Sequence, residues 1–561
     1  MSRRTESLER WVPGARLART YRRDWLRPDL VAGVVLAAIL VPQGMAYAEL
    51  AGVPAVYGLY ATIGCLLGYA VFGPSRVLVL GPDSSVSPLI FAAIVPLAVP
   101  GDVQTRVALA GMLALLVGVI EIAMGLGRLG FVADLLASEV QVGYMNGLAI
   151  TIIVGQLPKL CGFSTDATSC GGEVVAWFEL LDDTITAALI VGVAVLVVLL
   201  VLPRLTTKIP AVLVAVVGAT VLSAILGLSD HIATVGTLPS GFPKPTVPWT
   251  SIDDVWPLLI AAVGITLVSL TDTIATSASF AARRGEDVDP NQEMIGLGAA
   301  NLAAGFLQGF AVSTSGSRTA VAEQSGAKSQ LTGLVGAGIV VSLLLAFQSL
   351  LADLPQSALA AVVIAAALSL LNVGALRRYA SVRRSALLLS LTASVGVIAL
   401  GVLQGIVVAI LLSVLMFFRR NWWPHGAVLG RVTGMDGWHS VKTFSDATEV
   451  DGVVVYRWEA PLFFANAGAF RDEVHHIVHE RHPTWFVLVC EAITDIDVTA
   501  AGMLEQLDRE LNADGVHVAF VEMRTRLQDL VEKYGLLETL DSGHFYPSLD
   551  AALAAIETGE P

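Results

Sequence analysis

The chain is 561 residues long, 55% hydrophobic and only 15% charged, with a mean hydropathy of +0.71. Such an apolar excess excludes a string of ordinary soluble domains and places most of the chain in lipid. A net charge of −14 argues against nucleic acid as a partner, and the four cysteines Cys65, Cys161, Cys170 and Cys490 show no metal-ligand clustering.

Residues 1–28 are rich in arginine but hold no compact apolar core followed by a cleavage site, which predicts a basic cytoplasmic segment on the membrane surface and no signal peptide. A membrane span needs about 20 apolar residues, fewer where the helix is broken. By that ruler the stretches 29–50, 54–72, 84–99, 105–126, 131–157, 184–203, 209–228, 254–280, 290–311, 317–326, 330–352, 356–372, 384–402 and 404–420 are spans. Basic residues test the count, because they concentrate in cytoplasmic loops. Arg76, Arg128, Arg204 with Lys208, Arg283-Arg284, Lys328, Arg377-Arg378 with Arg383-Arg384, and Arg419-Arg420 all fall in the even-numbered gaps. Lys159, Lys244 and Arg106 are the exceptions. Both termini are therefore expected in the cytoplasm. The loop holding Cys161 and Cys170 then lies outside, where a disulfide between them is open.

Fourteen spans divide into seven plus seven, and an odd-numbered unit repeated in tandem must be inverted in the membrane. The third and tenth spans become equivalent, and these are the two that polar residues interrupt: Leu80-Gly81-Pro82-Asp83-Ser84-Ser85-Val86-Ser87-Pro88-Leu89 and Val312-Ser313-Thr314-Ser315-Gly316-Ser317-Arg318-Thr319-Ala320-Val321. Broken helices at matching places of two halves are the mark of a transporter whose substrate rests at the midplane on half-helix N-termini. The first and eighth spans correspond too and carry the polar runs 42–47 and 269–273, although the two halves share negligible visible identity.

Beyond Phe418 the composition becomes that of a soluble domain. Residues 421–435 read as a linker and 436–561 as an α/β module, with strands at 452–458, 485–489 and 516–521 and amphipathic helices at 467–480, 499–512 and 524–534.

The run Pro42-Gln43-Gly44-Met45-Ala46-Tyr47-Ala48-Glu49-Leu50-Ala51-Gly52-Val53-Pro54-Ala55-Val56-Tyr57-Gly58-Leu59-Tyr60 resembles the signature of the SulP sulfate permease family, which includes plant sulfate transporters, bicarbonate and dicarboxylate carriers and prestin. Pro461-Leu462-Phe463-Phe464-Ala465-Asn466-Ala467 and Asp495-Ile496-Asp497-Val498-Thr499-Ala500 resemble the cytoplasmic STAS domain of that family. The resemblance implies a polytopic α-helical protein of two inverted seven-helix repeats divided into core and gate domains, a homodimer whose core moves past the gate as an elevator. It also implies an anion site made by Gln43, Tyr47, Asp83, Ser84, Ser85, Val86, Ser317, Arg318 and Thr319, with Asp272 beside them.

The physics of those positions points the same way. Each helix N-terminus carries roughly half a positive charge, so two of them with Arg318 are expected to offer about two, enough for a sulfate-like dianion. An arginine within the membrane is costly and usually functional. Asp272 reads as a proton carrier, a sodium ligand or a counter-ion to Arg318; left ionised it opposes an anion, so the anion binds better once it is protonated. Asp83 suits a helix N-cap, yet its charge would occupy the positive end the substrate needs, so it protonates, binds a cation or faces away. Gln43 and Tyr47 are site groups or bonds to a neighbouring helix, while Glu49 and Asn146 read as structural. In the tail, Thr499 stands where related STAS proteins carry a phosphorylated residue and also suits the N-cap of a helix over 500–512. His475, His476, His479 and His482 read as a solvated helix face.

No nucleophile–base constellation suggests an enzyme, and no cofactor or metal is expected. The expectation is a multi-pass protein of the cell (inner) membrane that carries a small oxyanion, sulfate first, by proton symport. Bicarbonate, fumarate or succinate, sodium coupling, or anion exchange are the alternatives. A non-transporting scaffold or voltage-responsive membrane protein is the reading from another class.

Overall fold

Lipid offers the backbone no hydrogen-bond partners, so apolar stretches become helices and any break must be repaired by protein groups. The computed structural model describes residues 11–558 apart from positions 100, 136, 166, 168, 207–209, 237–238, 240, 347–350 and 541. In the apolar region the helices are α1 (Pro13–Thr20), α2 (Leu26–Leu50), α3 (Ala55–Phe72), α4 (Ser87–Ile94), α5 (Val103–Leu126), α6 (Ser138–Cys161), α7 (Cys170–Glu179), α8 (Thr186–Leu205) and α9 (Ala211–Leu226). They continue as α10 (Ile252–Ala282), α11 (Pro290–Phe306), α12 (Gly316–Gln324), α13 (Leu331–Ala346), α14 (Gln356–Leu370), α15 (Val373–Val382), α16 (Arg384–Leu400) and α17 (Val402–Trp422). Seven of these stretches are long and apolar enough to cross a membrane, α14 and α15 counting as one, and five shorter apolar helices join them. With α11 and α12 added, every one of the fourteen expected spans meets a helix, seven and seven in inverted repeat. The fifth begins later than expected, at Ser138, after a 3-10 segment at Gly130–Leu135. Lys208 and part of the stretch 330–352 lie outside the described residues.

The spans sort into two bundles. In the core, α11 lies between α3 and α5, α13 packs on α2 and α3, and α10 packs on α4 and α5. Small residues permit this close approach: a Cβ on Gly118 of α5 would meet the Gly298 carbonyl of α11 at 2.7 Å, and one on Gly298 would meet the Gly118 carbonyl at the same distance. In the gate, α6 packs on α8, α14 and α16. Ser394 Oγ of α16 donates to the Gly143 carbonyl of α6 at 2.7 Å, and a Cβ on Gly147 would lie 2.6 Å from the Ser394 carbonyl. Asn146, expected to be structural, accepts from the Asn372 amide at 2.7 Å and so holds the break between α14 and α15.

Where the third and tenth spans are interrupted, two short strands meet. β1 (Leu80–Gly81) and β2 (Ser313–Thr314) pair antiparallel, Leu80 opposite Thr314 and Gly81 opposite Ser313. The pair supplies within the membrane the backbone partners that the broken helices forgo.

The chain divides by internal contacts within α17, between Ser413 and Val414. The second unit is an α/β module with a six-stranded sheet in the order β4 (His439–Ser440), β3 (Gly426–Gly430), β5 (Val453–Trp458), β6 (Trp485–Val489), β7 (His517–Val521) and β8 (Phe545–Tyr546). β5 to β8 run parallel and β3 is antiparallel to β5. Residues 421–435, expected as a linker, thus contain a strand of the sheet. Helices α18 (Ala467–Arg481), α19 (Val498–Ala513), α20 (Thr525–Lys533), α21 (Leu536–Thr539) and α22 (Leu549–Thr558) complete it, with a buried apolar cluster on each face. All four cysteines are free, so Cys161 and Cys170 form no disulfide here.

Candidate functional site

The site begins at the strand pair. Pro82 carries no N–H to continue the ladder, and the chain turns there into the approach to α4. Asp83 organises that turn: its Oδ1 accepts from the Ser85 amide at 3.0 Å and the Ser85 hydroxyl at 2.9 Å, and its carbonyl accepts from the Ser87 amide at 3.0 Å. Asp83 thus caps the turn that leads into α4, while the N-cap position of the helix itself is Val86 with no side-chain cap bond, so the helix cap expected of Asp83 lies one turn ahead of the helix. On the other half, the Ser315 carbonyl opens α12 by accepting from the Thr319 amide at 3.0 Å, while the Ser315 amide donates to the Val79 carbonyl at 3.2 Å. The two half-helices therefore start side by side on one scaffold.

Arg318 ties them together. Its side chain is buried; Nη1 donates to the Pro82 carbonyl at 2.6 Å, and Nη2 donates to the Gly81 carbonyl and to Asp83 Oδ2, both at 3.4 Å. The carboxylate partner of Arg318 is therefore Asp83, not Asp272. This overturns the counter-ion reading of Asp272 and gives Asp83 a cation from within the chain.

A cavity of about 1020 Å³ lies between the bundles. Its core wall is made by Gln43 and Tyr47 of α2, Asp83, Ser84 and Ser85 ahead of α4, Asp272 and Thr276 of α10, and Thr314, Ser315, Ser317 and Arg318 around the start of α12. The expected residues Val86 and Thr319 do not line it. Val86 is fully buried, and the Thr319 hydroxyl donates to the Ser315 carbonyl at 2.8 Å and accepts from the Val79 amide at 3.1 Å, so it fastens the scaffold. The gate wall is mostly apolar, with Val142, Met145, Leu199, Pro203, Val362, Ala365 and Ala366, but it includes Gln141, Thr206, Ser369 and Asn372.

Sequence reasoning missed Gln141, whose Nε2 donates to Asp272 Oδ1 at 3.4 Å. It also missed Glu121, buried in α5, which accepts from Ser269 Oγ and from Asn301 Nδ2, each at 2.8 Å. Asn301 Oδ1 in turn accepts from the Val312 amide at 2.8 Å, one residue before β2. A carboxyl in the middle of an apolar span was the available signal for Glu121. Gln141 lay inside the expected span 131–157, where an uncharged polar side chain is a weaker signal than a carboxyl.

In the second unit, Asp497 is the N-cap of α19, accepting from the Ala500 amide at 2.8 Å; Thr499, expected as a cap, is an exposed residue of the first turn. His475 is not merely solvated, because its Nε2 lies 2.9 Å from Glu510 Oε2, which Arg471 also engages. The His475 ring, with Gln506 and Arg471, holds the Glu510 carboxyl below the usual carboxylate range. Among the described residues no cluster suits a metal ion.

Residues 26–393 match the profile of the Sulfate permease family and residues 445–552 that of the STAS domain. A probable sulfate transporter of Mycobacterium tuberculosis strain H37Rv is 40% identical over 548 residues, 97% of this chain and 98% of that protein. The structure of the murine solute carrier 26 family member A9 anion transporter in the inward-facing state superposes with a TM-score of 0.90 at 24% identity, covering 100% of this chain and 95% of that one. The transmembrane domain of a cyanobacterium bicarbonate transporter covers 70% of this chain and 98% of its own, with a TM-score of 0.61 and 24% identity. At such identity the two structures speak for the fold.

Proposed function

This chain belongs to the sulfate permease family of membrane anion transporters, and on that premise we propose that it is a secondary active carrier of a small oxyanion, sulfate first, driven by protons through Asp272. The observation that carries the reading is the convergence of two half-helix starts, Ser84-Ser85 and Ser315-Gly316-Ser317, on the core wall of one cavity. Their backbone N–H groups and dipoles favour an anion, and the 40% identical relative is a probable sulfate transporter.

Charge arithmetic supports coupling. The Arg318–Asp83 pair is neutral as a unit, so the two helix N-termini supply about one positive charge rather than the two expected from sequence. An ionised Asp272 cancels that field, and a proton restores it. A dianion and a proton then favour each other's binding at the same wall. Sodium at Asp272 would act with the same sign.

Most polar groups of the cavity sit on the core, and the gate opposes it with largely apolar side chains among which stand Gln141, Thr206, Ser369 and Asn372. Such a division suits an elevator movement, in which the core carries the anion past a smooth wall. The same reading has a homodimer in the cell membrane, surrounded by lipid, with both termini in the cytoplasm.

The test is uptake of labelled sulfate by proteoliposomes of the purified chain, with and without an inward proton gradient and in sodium-free buffer, beside Asp272→Asn. Proton-driven accumulation that Asp272→Asn abolishes is the expected result. No sulfate uptake in a preparation that moves bicarbonate or fumarate overturns the substrate; accumulation that needs sodium overturns the proton.

A further inference from the structure

A hydrogen bond crosses the cavity from gate to core, and both of its ends are fixed to their own bundle. Gln141 stands in the first turn of α6. That helix is bound to α17 by the Ala137 amide at its start, which donates to Ser413 Oγ at 3.2 Å, and to α16 through the close contacts of Gly143 and Gly147 with Ser390 and Ser394. Asp272 is flanked by Ser269, which donates to Glu121 of α5, and by Thr273, whose hydroxyl lies 2.9 Å from that of Thr314 in β2. Neither helix can therefore follow the other if the bundles slide. The Gln141 Nε2 to Asp272 Oδ1 bond must break whenever the core moves past the gate.

Resting on the carrier reading above, we propose that Gln141 is a positioning residue that latches the core to the gate. Its amide donates to the Asp272 carboxylate and holds the orientation seen here. A donor bond to a charged acceptor is stronger than one to a neutral acceptor, so loss of the Asp272 charge loosens the latch. Loading of the coupling ion and release of the core thereby become one event. Other groups facing Asp272 are Asp83, Ser85 and Arg318 on the same core wall, with the Ser85 hydroxyl a second hydrogen-bond partner, Tyr47 from α2, and Tyr144 one turn along α6, with Glu121 behind α10 through Ser269. Of these, Tyr144 shares the gate helix with Gln141, and its hydroxyl is buried with no hydrogen bond among the described residues. Gln141 therefore makes the gate's contact with the carboxylate.

The experiment reads orientation directly. The full chain in lipid nanodiscs carries spin labels at Asp287→Cys on the core side and Arg378→Cys on the gate side, both exposed, in a Cys170→Ser background. Pulsed dipolar spectroscopy then gives the ratio of the orientation seen here to the other at alkaline and acidic pH. The ratio is expected to fall on acidification in the parent chain. Gln141→Leu, of nearly equal size, is expected to lower it about tenfold at alkaline pH, the loss of one charge-assisted hydrogen bond, and to flatten the pH response. Gln141→Lys, which puts a cation against the carboxylate, is expected to raise it. Asp272→Asn should lower the ratio, with Gln141→Leu adding nothing further. An unchanged ratio in Gln141→Leu, or independent additive effects of the two substitutions, overturns the latch. Sulfate uptake by the same proteins separates the two claims: proton-driven uptake without a change of ratio defeats the latch alone, and a responsive ratio without proton-driven uptake defeats the coupling alone.

Discussion

Replacing Arg318 with methionine should damage this protein in a way that a second substitution partly repairs. The guanidinium is fully buried and its partner Asp83 has a side chain only 12% exposed, so the pair follows the rules for buried rather than surface ions. Arg318→Met strands the Asp83 charge and removes the donors to the Gly81 and Pro82 carbonyls. Breaking such a pair destabilises by about 3–5 kcal/mol. For a membrane body of roughly 400 residues, the size scaling of unfolding entropy turns about 4 kcal/mol into a fall in Tm of about 5 °C. Arg318→Met with Asp83→Asn removes the stranded charge but leaves both carbonyls without donors, each worth about 1–3 kcal/mol, so about half of the loss should return. Transport should follow the same order, because the double variant restores the net charge of the pair while the single variant adds a negative charge to the anion site. Scanning fluorimetry in detergent, with sulfate uptake alongside, checks both. A double variant as unstable as the single, or a single variant that loses no stability, refutes the account of Arg318 and Asp83 as a buried pair that joins the two half-helices.

Further expectations concern the rest of the chain. Gly147→Ala places a methyl 2.6 Å from the Ser394 carbonyl, and the overpacking should cost about 1–3 kcal/mol, read as a lower Tm with Gly155→Ala, an open position on the same helix, as the control. Asp497→Ala removes the cap of α19 and the partner of the Phe464 amide, so the second unit should lose about 0.5–2 kcal/mol by denaturant titration. Glu510, held below its ordinary range mainly by His475, contributes stability above its unfolded pKa that disappears as pH falls through the lower folded value. Acid titration of the second unit's unfolding should therefore show a decline that is shallower in Glu510→Gln, and identical profiles would remove Glu510 from the acid response.

Much of the membrane body could be read from the chain alone because lipid allows few solutions. A helix is the default for each apolar stretch, so the spans were found even where the strand pair cut them short, at Leu80–Gly81 and Ser313–Thr314. The length of the apolar runs gave the count, basic residues recurring in alternate gaps agreed with it, and an odd repeat gave the inversion. The tail was legible for a different reason, since apolar, β-branched and aromatic runs marked strands at 452–458 and 485–489 and amphipathic patterns marked helices at 467–480 and 499–512, each within one residue of the elements found.

Side-chain partnership was not legible, because it depends on which groups arrive within 3.5 Å after segments 131 to 235 residues apart have folded together. Sequence could name Arg318, Asp83 and Asp272 as members of one site, but not that Arg318 would bond Asp83 and leave Asp272 to Gln141. Nor could it tell that Thr319 would fasten the scaffold while Ser317 faced the cavity, a difference of two positions on one short helix. Hydrophobicity and backbone hydrogen bonding act on local stretches, and so the chain by itself determined the spans, their inversion and the interrupted helices. The pairing of charges and the bond across the gate are set by distances between segments remote in sequence, and only the tertiary structure decided them.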